Sequence, residues 1–500
     1  MLTEKNSTSR HNSHPMRIAI VHYHLQRGGV TRAIEHSVKA LSLHKIFPVV
    51  LTGHAPADNR IFNYRVIPGL QYERVRPAIS AKELADDMIE AAVEALGGPP
   101  DIWHIHNHSL GKNLVLPGAI IDLAERGYHI LLHIHDFAED GRAANYHLML
   151  EKMACGKKTE MSRLLYPRAA HIHYAVLNRR DHTFLKYAGT ESKSLHHLPN
   201  AVGLGDIEKR LPHREQTSPP LWLYPTRAIR RKNLGEFLLW SAVVPGKNRF
   251  AATMGPENPR ERSRYKTWKR LAEELKLPVE FELSSKTECS FIELLQQAHA
   301  LVTTSVAEGF GMAFLEPWLV DRPVCGRDLP EITKEFREDG IILQSLYRRL
   351  DMPVAWLGLD RIADSATTAR KRQLQFYGRS PSSDCTDQIL DTWVQDNCID
   401  FGRLDENMQA DLLRTVVKKP GSAAELTPTQ LLPPKNRSSA IDGNHSILAD
   451  KYSLPEYGKR LMHLYEQLAA AGTEPLSSLN ADILLDHFLA PERLTLLRVD

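Results

Sequence analysis

The sequence predicts an α/β protein made of two Rossmann-like domains that face each other across a cleft. Three observations carry this expectation. The chain has 500 residues, too many for one ordinary hydrophobic core. It opens with an apolar strand run, a glycine break and an amphipathic helix run, in that order. A second series of the same alternation starts near Leu221, after a short stretch rich in Pro and Ser.

The elements follow in order. MRIAIVHYH, from Met16, reads as a buried strand, and QRGG breaks it. VTRAIEHSVKALS then places Val30, Ala33, Ile34, Val38 and Leu41 on one helical face. FPVVLTG, DIWHIHNHS, HILLHIHDF and AHIHYAVLN read as further strands, separated by helical patterns such as Ala81 to Leu96. HHLPNAVGLGD, around Asn200, reads as a linker. The second half gives strands LWLYPTR, RFAATMG, PVEFEL and ALVTTS, with helices NLGEFLLWSAV and FIELLQQA between them. The domain boundaries expected are a disordered tail at 1–15, an N-terminal Rossmann-like domain at 16–203 and a C-terminal Rossmann-like domain at 204–455. The latter carries a long insertion at about 334–451. Residues 456–500 form C-terminal helices, the first packing back on the N-terminal domain. Within the insertion, KKPGSAAELTPTQLLPPKNRSS reads as a surface loop or a disordered segment.

Composition removes several classes. The chain has 63 basic and 60 acidic residues, which argues against a general nucleic-acid binder. No run approaches the roughly 20 apolar residues that span a bilayer, although peripheral membrane contact stays open. The first fifteen residues lack an apolar signal core. Five scattered cysteines form no CxxC pair, so a reduced, cytoplasmic setting is expected.

Four groups of residues bear on chemistry. Gly28 and Gly29 end a strand and open a helix, either as a plain turn or as a place where backbone approaches a phosphate. Arg227 and Lys232, in PTRAIRRKN, stand at a strand end, where open α/β sheets gather ligands. They suit a diphosphate, or they belong to a solvated basic loop with Arg230 and Arg231. In SVAEGFGMAFLEPW, Glu308 falls at the cleft mouth, and a helix starting near Gly311 carries Glu316 about 7.5 Å along its axis. A carboxylate there accepts two ribose hydroxyls; spacing alone also fits two unrelated glutamates. HIH occurs three times, at His104/His106, His133/His135 and His171/His173. Alternate strand positions share a face, so each pair presents two imidazoles together, for a metal or simply toward a polar cleft. No HExxH or DxD marks a metal centre, and none is expected. Asp136, Glu139 and Arg142, in HDFAEDGRAANY, either read a polar acceptor or line the cleft.

Taken together, these pieces resemble the retaining GT-B glycosyltransferases of group 1 (glycosyltransferase family 4). The resemblance runs from about Met16 to Glu331 and resumes at Tyr457 to Leu468. It rests on QRGGV, the HIHD strand end, AHIHYAVLNRRD, LPNAV, PTRAIRRKN and SVAEGFGMAFLEPW followed by RPV and LPEI, in that order. The last long block resembles the family's Glu-x7-Glu motif. The resemblance implies roles. Arg227 and Lys232 bind the donor's diphosphate, Glu308 faces the donor sugar and Glu316 the ribose. Gly28 and Gly29 let the N-terminal domain close on the phosphates. His135 lies near the transferred sugar, and Phe310 and Gly311 offer backbone N–H groups. It also implies retention of anomeric configuration, no catalytic metal and no cofactor beyond a UDP- or GDP-linked donor, with a small-molecule or glycan acceptor. Pro317 departs from the family pattern; inside a helix it costs about 3 kcal/mol. Asp321-Arg322 and Ala201 stand where glycines are usual. Two other readings remain: a silent GT-B protein that binds a sugar nucleotide, and a metal-dependent hydrolase using the HIH pairs.

Overall fold

The computed structural model describes residues 15–26, 28–56, 62–72, 79–203, 217–419 and 438–499. In the N-terminal half lie strands β1 (Ile18–His22), β2 (Val49–Thr52), β3 (Tyr64–Val66), β4 (Ile102–His106), β5 (Ile130–Ile134), β6 (Pro167–Arg168), β7 (Ile172–Val176) and β8 (Leu195–His197). All but β6 form one parallel sheet in the order 3-2-1-4-5-7-8. Strands β1, β2, β4, β5 and β7 are buried throughout, which is why they read as continuous apolar runs rather than alternating ones.

The second half contains β9 (Leu221–Arg227), β10 (Arg249–Met254), β11 (Val279–Phe281), β12 (Ala300–Thr303), β13 (Val324–Arg327) and β14 (Leu346–Tyr347). They build a six-stranded parallel sheet in the order 11-10-9-12-13-14. In both sheets the order reverses beside the first strand, and ligand sites form outside the strand ends at such points. The chain is therefore a doubly wound pair of α/β domains.

The helices follow local signals. Ser80 caps Ala81–Leu96 in a reciprocal pair with Glu83, and Gly97 ends it at φ 68°. Asn178 caps Arg179–Tyr187, and Ser290 caps Phe291–Gln297. The segment after Lys334 is part of the C-terminal domain. Its strands β15 (Asp351–Pro353), β16 (Val394–Gln395) and β17 (Cys398–Asp400) form a small antiparallel sheet. Met352, Ile362, Trp393, Phe401 and Leu412 from this stretch join Trp222, Phe237 and Trp240 in one core. The stretch expected to be a loop or disordered lies, from 420 to 437, outside the described residues.

The chain then returns. Helix Leu454–Ala469 buries Tyr457, Leu461, Leu464 and Leu468 against Ile18, Ile20 and Ile34 of the N-terminal domain. Each such side chain contributes about 1.5–3 kcal/mol by leaving water. Strand β18 (Ser477–Ser478) pairs with β6, and helix Ala481–Phe488 packs on the same domain. Finally Leu494 and Leu496 cross to the core of the C-terminal domain. Among the described residues no helix is long and apolar enough to cross a membrane.

Candidate active site

The loops after β9 and β12 are tied together. The Tyr224 hydroxyl donates to the Lys232 carbonyl at 2.6 Å, and Thr304 Oγ1 donates to the Lys232 and Asn233 carbonyls at 3.0 and 2.9 Å. The Val306 N–H donates to the Arg231 carbonyl at 2.9 Å. This ties the basic turn to the acidic loop although they are 76 residues apart. Lys232 Nζ donates to Glu308 Oε1, and Arg231 Nη1 sits 3.1 Å from Glu308 Oε2. Burial pushes the Glu308 carboxyl up, but the Lys232 ammonium and then Arg231 outweigh it and hold it at about 2. Burial also lowers the Lys232 ammonium, opposed by Glu308.

Glu316 is placed differently from the expectation. No α-helix starts at Gly311; two 3₁₀ turns follow instead, Met312–Phe314 and Glu316–Val320. Pro317 has no N–H for an α-helical bond, and it falls in the first turn of the second segment, where it is tolerated. Glu316 thus begins a turn rather than lying inside a helix. Its carboxylate pairs with Arg32, in the helix Gly29–Leu43 of the other domain. Burial raises the Glu316 carboxyl, opposed by Arg32. Gly28 and Gly29 open that same helix. A Cβ at Gly29 meets nothing within 4 Å, and at Gly28 only the Gln26 carbonyl at 3.9 Å, so the helix start has open room.

The opposite wall comes from the end of β5. Asn107, in the left-handed region at φ 53°, accepts from the N–H of His135 at 2.7 Å and of Asp136 at 3.1 Å. Gly309 packs on this turn: a Cβ there lies 3.1 Å from the His135 carbonyl. Asn178 Nδ2 donates to the Gly309 carbonyl at 2.7 Å, a second link across the domains. His135, Asp136, Arg142, Arg231, Glu308 and Gly309 line one cavity of about 220 Å³. Asp136 pairs with Arg142 at 2.7 Å. Burial works against its ionisation, and Arg142 and Arg231 outweigh that and lower its carboxyl.

Three expected site residues lie elsewhere. Arg227 pairs with Glu257 at 2.6 Å and is absent from the Glu308 cluster among the described residues; Arg231 stands there instead. Glu139 turns inward. Both its oxygens accept from Tyr166 Oη at 3.0 Å, and burial pushes its carboxyl up to about 7. That corrects its reading as an acceptor contact, because the carboxylate faces the core. The Phe310 ring is buried against Phe336, with centroids 5.7 Å apart, so only its backbone is left for the cleft. Gly311 holds φ 95°, and a Cβ there lies 2.9 Å from Ile332 Cγ2.

The histidine pairs resolve into two places. Residues His106 and His133 are in register on adjacent parallel strands. With His104 and His135 they form a stack: His104 Nε2 to His133 Nδ1 is 3.0 Å, and His106 Nδ1 to His135 Nε2 is 2.8 Å. Tyr465 reaches His104 Nδ1 at 2.7 Å from the returning helix. One nitrogen each of His104, His106 and His133 lie within 4.8 Å of one another, a spacing that a metal ion can use. The three are fully buried beneath His135. His173 instead meets His196 at 2.9 Å, and His171 Nε2 donates to the Ala124 carbonyl at 3.0 Å.

No family model matches the chain. It is 24% identical over 487 residues to a mannosylglucosyl-3-phosphoglycerate synthase of Petrotoga mobilis, covering 91% of this chain and 92% of that protein. Among solved structures it is similar to sucrose-phosphate synthase from Thermosynechococcus elongatus, with 14% identity, a TM-score of 0.52, and 91% and 99% of the two chains covered. It is similar also to Anabaena HepE in complex with UDP-glucose, with 11% identity, a TM-score of 0.50, and 90% and 98% covered. The chain has the fold of the GT-B glycosyltransferases. That fold puts the ends of β9, β12 and β5 at one interdomain cleft.

Arg231 and Arg32 were not singled out from sequence. Arg231 has a signal, since a turn of three consecutive cations must aim them in different directions. Arg32 has none, because its partner is 284 residues away in the other domain.

Proposed function

We propose that the chain is a retaining glycosyltransferase that moves a hexosyl group from a UDP- or GDP-linked donor to an acceptor hydroxyl, without a catalytic metal. The observation that carries this reading is that Arg231, Glu308 and His135 line one interdomain cavity, with Lys232 paired to Glu308 and Glu316 in the turn that follows. Departure of a nucleoside diphosphate builds negative charge, and fixed cations stabilise it as it develops. Lys232 and Arg231 are such cations. Glu308, held ionised between them, fixes their direction and accepts from sugar hydroxyls. Glu316 accepts from the ribose once Arg32 releases it. His135, neutral at pH 7, donates or accepts at the transferred sugar without adding charge. The leaving phosphate oxygen takes the acceptor's proton on the same face, which keeps the anomeric configuration.

Support comes from the name of the curated relative, a synthase whose product is a mannosylated glucosyl compound, and from a solved neighbour that binds UDP-glucose. The acceptor is a polar small molecule or glycan, with Asp136 and Arg142 at its side of the cavity. The test is nucleotide release from a panel of UDP- and GDP-sugars. Turnover of one donor that falls roughly hundred-fold or more in Lys232→Ala supports the reading. Binding of a donor without turnover, under every acceptor tried, selects the silent sugar-nucleotide-binding protein instead. Tightly bound metal that activity requires selects the hydrolase.

A further inference from the structure

A second cavity, of about 310 Å³, adjoins the first and shares Arg180, Glu308 and Arg498 with it. That volume is in the range of small-ligand sites, about 300–1,000 Å³. Its far wall carries two arginines that form no ion pair among the described residues, although Arg403 feels Asp400 and Glu331 at longer range. Arg348 is exposed, and its side chain has no partner among the described residues. Arg403 is largely buried and donates from Nη1 to the Leu494 carbonyl, with no ion pair among the described residues.

The carboxylates on the same wall are largely engaged elsewhere. Asp400 and Glu236 hold Arg327, at 2.8 and 2.6 Å. Asp328 holds Arg337 at 3.1 Å. Glu331 pairs with Arg493 and with Arg180. Glu492 reaches the rim, where it is exposed, and Arg370 is the cation that feels it. The backbone that carries the two arginines is held in place. Arg327 Nη1 donates to the Arg348 carbonyl at 3.3 Å. Gly402, next to Arg403, packs over the same guanidinium, since a Cβ there lies 2.5 Å from Arg327 Cζ. One buried ion-paired hub therefore anchors the backbone beside both arginines.

We propose that this cavity binds a phosphoryl group of the acceptor through Arg348 and Arg403. Two guanidiniums that hold no carboxylate in an ion pair match a dianion, and a forked guanidinium meets phosphate oxygens in pairs. The position suits an acceptor rather than a donor. The cavity runs from Glu308 toward the ends of β13 and β14 and is lined by neither Lys232 nor Glu316, the residues given to the donor above. This inference rests on the transferase reading above, and it adds an acceptor class to it.

The test is calorimetric titration of the full chain, saturated with UDP or GDP, with 3-phosphoglycerate, inorganic phosphate, glycerate and glucose. The phosphate-bearing probes are expected to bind, and Arg348→Gln to weaken them about tenfold or more, the loss of one charged hydrogen bond. Nucleotide affinity in that variant is expected to stay unchanged. Arg348 is exposed, so its replacement leaves the fold intact; Arg403→Gln is the second variant. A chain that binds UDP or GDP but no phosphate-bearing probe overturns the inference and leaves the transferase reading standing. A chain that binds neither nucleotide overturns both. Loss of nucleotide binding in Arg348→Gln assigns the arginines to the donor and overturns the inference, as does binding of glycerate without phosphate.

Discussion

The two walls of the cleft handle charge in opposite ways. On the C-terminal side, Lys232, Arg231 and Glu308 are ionised and paired over distances that fix their direction. On the N-terminal side, His22, His104, His106, His133 and His135 are buried and held uncharged. Burial lowers His22 and His104 to about 3 and His135 to about 4, and takes His106 and His133 well below the usual value. On the proposed reading, a sugar between these walls meets cations where its leaving group departs and the neutral ring of His135 on its other face, with the remaining histidines buried behind it.

The comparison is broken most directly at Lys232. Lys232→Ala is expected to reduce the transfer rate roughly hundred-fold or more while leaving the fold intact. Steady-state rates within a few-fold of wild type are incompatible with the division of labour.

The neutral wall is tested by pH. Its histidines bind protons less readily in the folded chain than in the unfolded chain, whose ordinary value is 6.5. Between pH 6.5 and about 4 the unfolded state holds more protons, so stability falls as pH drops through that window. The slope is about 1.4 kcal/mol per pH unit for each histidine, and it vanishes above 6.5. Glu139, raised to about 7, opposes this with one proton as pH rises from 4.5. Urea unfolding at pH 7.5 and 5.5 measures the difference; equal midpoints mean that the rings are not buried.

Glu316→Ala is expected to raise the donor KM about tenfold, the loss of a charged hydrogen bond, with kcat changing less. An unchanged KM removes Glu316 from the ribose. The smallest effect is expected at Arg227. Its partner Glu257 is largely exposed, and pairs of that kind contribute about 0–1 kcal/mol. Arg227→Ala is therefore expected to alter the rate a few-fold at most; a hundred-fold fall returns it to the diphosphate.

What the sequence revealed divides along the same line. The strands were legible because each is buried on both faces and reads as an apolar run: IAIVH, ILLHI and ALVT are examples. The meeting of Lys232 with Glu308 was legible because both fall at strand ends beside the reversal in sheet order. Glu316 was misplaced because spacing alone suggests a helix, while Pro317 lets the backbone take 3₁₀ turns. Glu139 was misread because an acidic loop residue beside a cleft has no local mark of facing inward; Tyr166, 27 residues on, decides it. The histidine stack needs the register of two strands, which one strand's pattern does not contain.

The chain's return path has a practical consequence for anyone dissecting the molecule. Residues 454–489 cover the N-terminal sheet, and the few that follow anchor in the other half, so the halves are interlaced rather than strung end to end. A single cut near 203 would yield a fragment lacking its own lid of Tyr457, Leu461 and Leu468, with apolar residues left in water. A permuted chain, in which 454–489 is grafted onto 16–203, would restore that lid but not Leu374 and Tyr377, which enter the same core from the other half.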